Sequence, residues 1–588
     1  MKLIEALQAV KKAPRDGEPF TVALVCGFEP VHLETFLAAH LQALLPERRI
    51  IVQSGVYGDF VGNLTRLANA EVRAEARTTN VADAAAVALE WSDLDPRLGL
   101  RGLGGWGLAD LSHVLETARM RLTQIRGALE AARTRVPLAV CFPTLPLPPI
   151  DHTAGWQAGT LGLEVRRLVG ELASQVSNMP SLRAVNPQRL DRLSPPAERL
   201  DAKSELRSGF PYSLAHASAV GELLARLIKP PAPRKGLITD LDETLWRGIL
   251  GEVGVDEISW DLDHHSHMHA LYQQLLRALA EAGVLLAIAT RNDPDLVEQA
   301  FRREDMLLPR GRVFPVEAHW GQKSASVARI LRAWNIGADS VVFVDDSPME
   351  LAEVAAAHPE VECIEFPTQD DQGVYALLER LRDLFGKEAV SEEDALRLDS
   401  LRSASALKES IEGQGASLDE FMRQAEAELT LDFRTDPPDP RALELLNKTN
   451  QFNLNGLRFT EGEWAGRLAR PEVFLLVVGY KDKYGPLGRI AVIAGRREGA
   501  CLRVEAWAMS CRAFARRIEH KCLAELFRRF GTEEIAFDFK PTPRNGPLQA
   551  FLAELLGAPP EPGSRLARAQ FAATCPPLSH SVREVTDG

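Results

Sequence analysis

The stretch Leu237-Ile238-Thr239-Asp240-Leu241-Asp242-Glu243-Thr244 sets two carboxylates two residues apart, directly after a short apolar run. Such a run reads as a buried strand, and side chains just past it face the crevice where open α/β sheets bind ligands. One carboxylate placed there can attack phosphorus and form an aspartyl-phosphate; the other can protonate the leaving oxygen and later activate an acceptor. Three further patterns follow in order. Ala289-Thr290-Arg291-Asn292, after a second apolar run, offers a hydroxyl to a phosphate oxygen. Gly321-Gln322-Lys323-Ser324 places an ammonium at a helix start, where it can neutralise a phosphoryl group and hold a nucleophile as its anion. Val344-Asp345-Asp346-Ser347-Pro348-Met349-Glu350 puts paired acids after a third run, hard oxygen ligands of the kind that suit Mg²⁺. A cation offsets the repulsion between an attacking carboxylate and a phosphate dianion. Each pattern alone is a turn, a cap or a surface lysine; four in one order read as a phosphoryl-transfer site.

The elements that must position these groups follow a strand–helix rhythm. Gly236 to Thr239, Val284 to Ala289 and Ser340 to Val344 read as strands, and the segments near Leu271 to Ala282 and Ala325 to Trp334 as helices. About 50 residues separate Asp240 from Thr290, which leaves no room for a large cap and favours a large or carrier-bound substrate, or another domain as lid. The same rhythm opens the chain: strands Phe20 to Cys26, Ile50 to Gln53 and Pro137 to Phe142, a helix through Leu45 and a long charged helix from about Leu108 to Arg135. The expected class is multidomain α/β with parallel sheets. A proline-rich basic linker, Lys229 to Lys235, and a weaker break near Lys387 to Glu393 divide 588 residues into three domains, near 1–230, 234–388 and 389–588.

Composition narrows the partners. Net charge is -13, which argues against bulk nucleic-acid binding, a task that needs a basic face, and leaves room only for a local basic patch. No stretch approaches the roughly 18 apolar residues of a membrane span, and the first twenty residues lack a signal-peptide pattern. Seven cysteines, an odd number without a CxxC pair, suggest neither a disulfide framework nor a zinc site. The expectation is a reduced, cytoplasmic protein. His264, His265, His267 and His269 read as a polar loop leading into the next helix.

Toward the C-terminus, Asn447, Asn450, Gln451, Asn453 and Asn455 put five side-chain amides in nine residues beside an apolar helix. They could hydrogen-bond a polar acyl group or a pantetheine arm, or simply cap a solvated turn. Tyr480 to Gly488 reads as a turn between strands. Trp507-Ala508-Met509-Ser510-Cys511-Arg512 closes an alternating strand and precedes a helix with an apolar stripe at Phe514, Ile518, Cys522, Leu526 and Phe530. Cys522 belongs to that stripe and to the core. Cys511 falls at the strand-to-helix turn, where helix N–H groups and Arg512 lower a thiol pKa; a nucleophile and an inert buried Cys fit equally.

The run Asp240-Leu241-Asp242-Glu243-Thr244-Leu245-Trp246-Arg247-Gly248-Ile249-Leu250-Gly251-Glu252 resembles the haloacid dehalogenase-superfamily phosphatases, and within them subfamily IIIC, the FkbH-like proteins. The resemblance spans roughly 234–588 and implies a Rossmann-like core without a large cap, followed by an α+β N-acetyltransferase-like domain. It implies Asp240 as nucleophile and Asp242 as acid/base. Thr244, Thr290, Arg291 and Lys323 would bind phosphate, and Asp240, Asp242, Asp345 and Asp346 would hold Mg²⁺. It further implies dephosphorylation of a small, glycerate-like phosphorylated acid and passage of the acyl group through Cys511 to an acyl carrier protein. Asn447, Asn450, Gln451, Asn453 and Arg512 would then meet the phosphopantetheine arm. A plain phosphatase is the alternative. Thr290 stands where the subfamily often has Ser, and Glu243 where it commonly has Asn. Ala515 and Arg517 replace the glycines of an acyltransferase phosphate loop, which disfavours free coenzyme A. Residues 20–230 weakly resemble the flavodoxin- or SGNH-hydrolase-like domain of full-length members. Cys26-Gly27-Phe28-Glu29-Pro30 carries no Ser after the first strand, so His216 would lack a nucleophile, and a degenerate docking domain is expected.

Overall fold

Short runs of small and branched apolar residues bounded by turn residues pair side by side and become the inner strands of parallel sheets, buried on both faces. In a computed structural model of the chain, the structure describes residues 1–69, 82–104, 107–150, 152–388, 425–483, 485–510, 513–514, 516–585 and a few single positions between 390 and 423. The described residues form three sheets. Packing divides the chain into two units, Met1–Pro231 with Phe459–Gly466, and Ala232–Arg458 with Arg467–Gly588.

The first unit is built on β1 (Pro19–Cys26), β2 (Arg49–Ser54), β3 (Ala84–Ala88), β4 (Leu138–Cys141) and β5 (Leu182–Ala184). They are all parallel, in the order β2-β1-β3-β4-β5, a doubly wound arrangement with ligand space expected past the strand ends. That space is filled by a closed hydrogen-bond network. Buried Glu90 accepts from the Thr144 hydroxyl at 2.6 Å and the Tyr212 hydroxyl at 2.8 Å. His216 meets Thr144 Oγ1 at 2.8 Å and Ser194 Oγ at 2.9 Å. Burial first, then Arg199, pushes the His216 pKa down to about 3. Cys26, where a hydrolase would carry its Ser, is buried and donates its thiol to the Phe28 carbonyl at 3.3 Å; burial raises its pKa. The stray segment 459–466 starts a helix, Glu461–Leu468, with a capping box between Thr460 and Glu463. Its acids meet basic residues of this unit: Glu463 pairs with Arg48 at 3.0 Å and Glu461 with Arg183 at 2.7 Å.

In the second unit, β6 (Gly236–Thr239), β7 (Leu285–Thr290), β8 (Val313–Ala318), β9 (Val341–Asp345) and β10 (Glu362–Glu365) form a parallel sheet in the order β10-β9-β6-β7-β8. Every residue of β6, β7 and β9 is buried. Gly236 is required at the start of β6, because a Cβ there would lie 2.4 Å from the Trp334 ring. The chain leaves β6 first to the β7 side and later to the β9 side, so β6 and β9 flank the topological switch point. One expected boundary moves. The helix after the histidine-rich loop begins at His267, and His269 is buried in it, its Nδ1 2.9 Å from the Thr244 carbonyl and its ring stacked on Phe366.

The third sheet is mixed, ordered β16-β15-β14-β13-β12-β11-β17. Its strands are β11 (Glu428–Asp432), β12 (Val473–Asp482), β13 (Gly485–Glu498), β14 (Cys501–Met509), β15 (Glu534–Phe537), β16 (Arg565–Ala567) and β17 (Ser581–Glu584). The turn expected over Tyr480 to Gly488 is narrower, since β12 runs on to Asp482 and pairs it with Gly485. The helix Ile518–Phe530 lays Cys522, fully buried, into the core beneath this sheet. No helix among the described residues is long and apolar enough to cross a membrane.

Candidate active site

Register places the key acids side by side. Thr239 of β6 pairs with Val344 of β9, and the Asp240 N–H donates to the Val344 carbonyl at 3.0 Å. Asp240 and Asp345 therefore leave adjacent strands at the switch point. The Lys323 ammonium, at the start of the helix Lys323–Trp334, reaches Asp240 Oδ2 at 2.9 Å and Asp345 Oδ2 at 2.6 Å, and also contacts Glu350. That helix start is fixed from outside, because Glu353 accepts from the Ser324 N–H at 3.0 Å and its hydroxyl at 2.7 Å.

Ligand oxygens of Asp240, Asp345 and Glu350 lie within 4.8 Å of one another, all three residues buried. Three carboxylates against the Lys323 ammonium and the Arg291 guanidinium, which reaches Glu350 at 3.2 Å, leave a surplus of negative charge. Burial raises the pKa of Asp240, against the pull of Lys323, and burial with the Asp240 charge raises that of Asp345. Burial also opposes the Lys323 charge, but Asp240 and Asp345 together outweigh it and hold the ammonium protonated. Asp240 Oδ1 is buried with no hydrogen-bond partner, as is Thr244 Oγ1. Such orphaned oxygens are costly unless something else engages them.

Asp242 is held on both oxygens. Oδ1 accepts from the Trp246 indole at 3.0 Å and the Leu250 N–H at 3.1 Å, and Oδ2 from the Asn292 amide at 2.9 Å. The loop that does this turns back on itself at Glu243, whose positive φ of 50° is stabilised by its side chain accepting from the Gly248 N–H at 2.8 Å. Trp246 in the sequence pattern thus has a physical task, anchoring the second carboxylate. Asn292 also donates to Thr290 Oγ1 at 3.0 Å, tying the second pattern to the first.

The structure brings Asp240, Lys323 and Asp345 together, with Asp242 and Thr290 joined to each other through Asn292. Arg291 turns to Glu350 at 3.2 Å and Glu353 at 3.4 Å. Asp242 and Asp346 are not in the three-acid cluster; Asp346 is half-buried, its pKa raised by burial. Two participants were given no role from the sequence. Glu350 is the third acid, and Asn292 the clamp on Asp242; both stood inside the quoted patterns.

Of the C-terminal residues, Asn450 and Gln451 line a cavity of about 290 Å³ together with Ser510. Asn453 is consumed locally. Its amide donates to the Thr449 carbonyl at 3.2 Å and its oxygen accepts from the Gly456 N–H at 2.7 Å. Asn447 is not among the cavity-lining residues. Cys511 and Arg512 lie outside the described residues, so their expected roles have no structural counterpart here.

Neither a family model nor a curated protein matches the chain. Among solved structures, it is similar to the N-terminal part of the protein BF1531 from Bacteroides fragilis, which contains a phosphatase domain and is complexed with Mg. The TM-score is 0.51 at 18% identity, over 66% of this chain and 100% of that one. The likeness is one of fold. A protein of uncharacterized function from Corynebacterium glutamicum matches at 22% identity over 26% of this chain and 98% of its own, with a TM-score of 0.19.

Proposed function

We propose that the chain is a Mg²⁺-dependent phosphatase working through Asp240. It would act on a small, glycerate-like phosphorylated acid, with transfer of the acyl group to an acyl carrier protein. The observation that carries the phosphoryl-transfer reading is the bare, buried Oδ1 of Asp240 beside the Lys323 ammonium. Lys323 keeps Asp240 anionic, and the free oxygen attacks phosphorus. Asp242, held two residues away, gives its proton to the leaving oxygen. The same carboxylate then takes a proton from the water that hydrolyses the aspartyl-phosphate, which restores Asp240. Thr290, Thr244 and Lys323 are the proposed phosphate contacts.

The surplus negative charge and the orphaned oxygen fit a divalent cation held by Asp240, Asp345 and Glu350. Mg²⁺ bound there supplies charge neutralisation for the phosphoryl oxygens. The similarity to a phosphatase-domain structure that contains Mg is in keeping with this. Phosphate release is expected to stop in chelator. Glu350→Gln is expected to raise the Mg²⁺ concentration for half-maximal release about tenfold, since one hard anionic ligand is lost. Asp346→Ala, run beside it, reads whether the second acid of the pair shares the ion. An unchanged Mg²⁺ dependence in Glu350→Gln overturns the three-acid assignment.

An acyl phosphate would take a different course from a monoester: the Cys511 thiol attacks its carbonyl carbon before Asp240 reacts with its phosphorus, phosphate leaves with the thiol proton, and a carrier thiol then displaces the Cys511 thiol from the thioester. Cys511→Ala is expected to keep phosphate release from monoesters but lose carrier acylation by more than about 100-fold, read by mass spectrometry of the carrier. Normal acylation would make Cys511 structural. Free acid and phosphate as sole products would leave the plain phosphatase.

A further inference from the structure

Residues three and four apart share one face of a helix. In the helix Pro440–Lys448, Arg441, Glu444, Leu445 and Lys448 are so spaced, and all four line a narrow cleft of about 70 Å³. Other lining residues come from the amino edge of the parallel sheet: Lys235, which directly precedes β6, and Leu285, the first residue of β7. Arg397 lines the cleft as well. Asp240 lies five residues beyond Lys235, roughly 16 Å along the strand at about 3.3 Å per residue, so this cleft is separate from the phosphoryl site.

Its charge is one-sided. Four lining side chains are cations, Lys235, Arg397, Arg441 and Lys448, and one is a carboxylate, Glu444. Glu444 already serves two of them, pairing with Arg441 and meeting the Lys448 ammonium at 2.6 Å. Behind the lining, Asp394 meets Arg397 at 3.0 Å but is shared with Lys387 at 2.9 Å. Adding those two makes five cations to two acids, in a chain whose net charge is -13. The crowding is felt at Lys387, whose pKa is held down by burial first and then by Arg397, with Lys448 adding to it. Arg441 adds a bare donor. Its side chain is only 10% exposed, and its Nε is buried with no hydrogen-bond partner. A buried N–H of a charged group calls for an acceptor.

The size of the cleft narrows the acceptor. At roughly 10–15 Å³ for each water-sized group it has room for about five non-hydrogen atoms, the number in a phosphate group. Thr449 and Ser510 in its lining can add O–H donors. The cleft adjoins the wider cavity of about 290 Å³ and shares Lys235 and Ser510 with it. There Arg544 already pairs with Asp339 and with Glu360, which suits an uncharged polar body.

We infer that this cleft is a second anion site that takes a phosphate group, free or as the monoester of a small organic molecule, held by Arg441, Lys448, Lys235 and Arg397. It goes beyond the reaction proposed above and does not depend on it. The group is bound there and not transferred, because the one lining carboxylate is engaged by Arg441 and Lys448.

The test uses the full chain in Mg²⁺-free buffer, with inorganic phosphate, glycerol 3-phosphate and glycerate as probes. Hydrogen exchange, read by mass spectrometry of peptides, is expected to slow with either phosphate in those containing Arg441 to Thr449 and Trp334 to Ile336. Glycerate, which offers only a carboxylate, should need at least about tenfold more for the same effect. Arg441→Gln is expected to raise the phosphate concentration for half the slowing about tenfold. Lys448→Gln, at a side chain about a third exposed, should raise it about threefold and decides the matter if circular dichroism shows the first variant unfolded. An ester bound at least as tightly as free phosphate assigns the site to a metabolite, and a weaker ester assigns it to free phosphate. Slowing confined to the peptides of Asp240, Thr290 and Lys323, an equal response to glycerate, or an undiminished response in the folded variants each overturns the site. Phosphate release with Mg²⁺, measured on the same protein, tests Asp240 separately, so the failure of either reading leaves the other standing.

Discussion

Asp240→Asn is expected to lower phosphate release by about 10⁴-fold or more while leaving the fold in place. The amide keeps the shape of the side chain and can still accept from Lys323. It lacks the anionic oxygen that would bond to phosphorus, and the aspartyl-phosphate cannot form. Nothing else in the site replaces it. Asp345 and Glu350 share the same ammonium, and Asp242, clamped by Trp246, Leu250 and Asn292, lies outside the three-acid cluster. The measurement is steady-state phosphate release with circular dichroism as the control for folding. A variant within about tenfold of the parent would remove Asp240 from the nucleophile's place.

The second large effect is expected from Lys323→Met. Removing the ammonium leaves three buried carboxylates facing one another, and breaking a buried ion cluster by deleting one partner costs about 3–5 kcal/mol. The loss should depend on pH with a definite sign. Asp240 and Asp345 already have folded pKa values raised above the ordinary aspartate range, by burial first. A raised carboxyl favours folding below its unfolded pKa, and the benefit is lost as pH rises through the folded one. The variant should therefore be closest to the parent at about pH 5 and furthest below it at about pH 8. Added Mg²⁺ should recover part of the difference at the higher pH, by linkage of binding to folding. Calorimetric unfolding at the two pH values, with and without the ion, reads all three. Phosphate release should fall about 10³-fold. A pH-independent loss of stability would mean that the three acids do not share one electrostatic site.

Much of this was legible in the sequence because the relevant forces are local. The apolar runs Gly236 to Thr239 and Ser340 to Val344 read as buried strands, and the strands are there within a residue. Asp240 and Lys323 stand out because four patterns, each ordinary by itself, follow strand ends and a helix start in one order. Glu350 did not stand out. It is one acid among several at the start of the helix Pro348–Ala357, and it joins the cluster only because β9 lies against β6. The clamp of Asn292 on Asp242 spans 50 residues of sequence, beyond the reach of any periodicity. The amide-rich run divides. It reads as one patch, yet Asn450 and Gln451 line the cavity while Asn453 staples its own loop. Which amides face a ligand depends on which backbone groups nearby need partners, and the order of residues alone does not disclose that.

The first unit takes its last eight residues, 459–466, from far down the chain. During synthesis, Arg48 and Arg183 are made long before Glu463 and Glu461, the acids they pair with. At about 5–20 residues per second the ribosome needs roughly 10–50 s to travel from the end of the first stretch to the end of the second. For that interval the nascent five-stranded domain is open on the side where its late helix belongs.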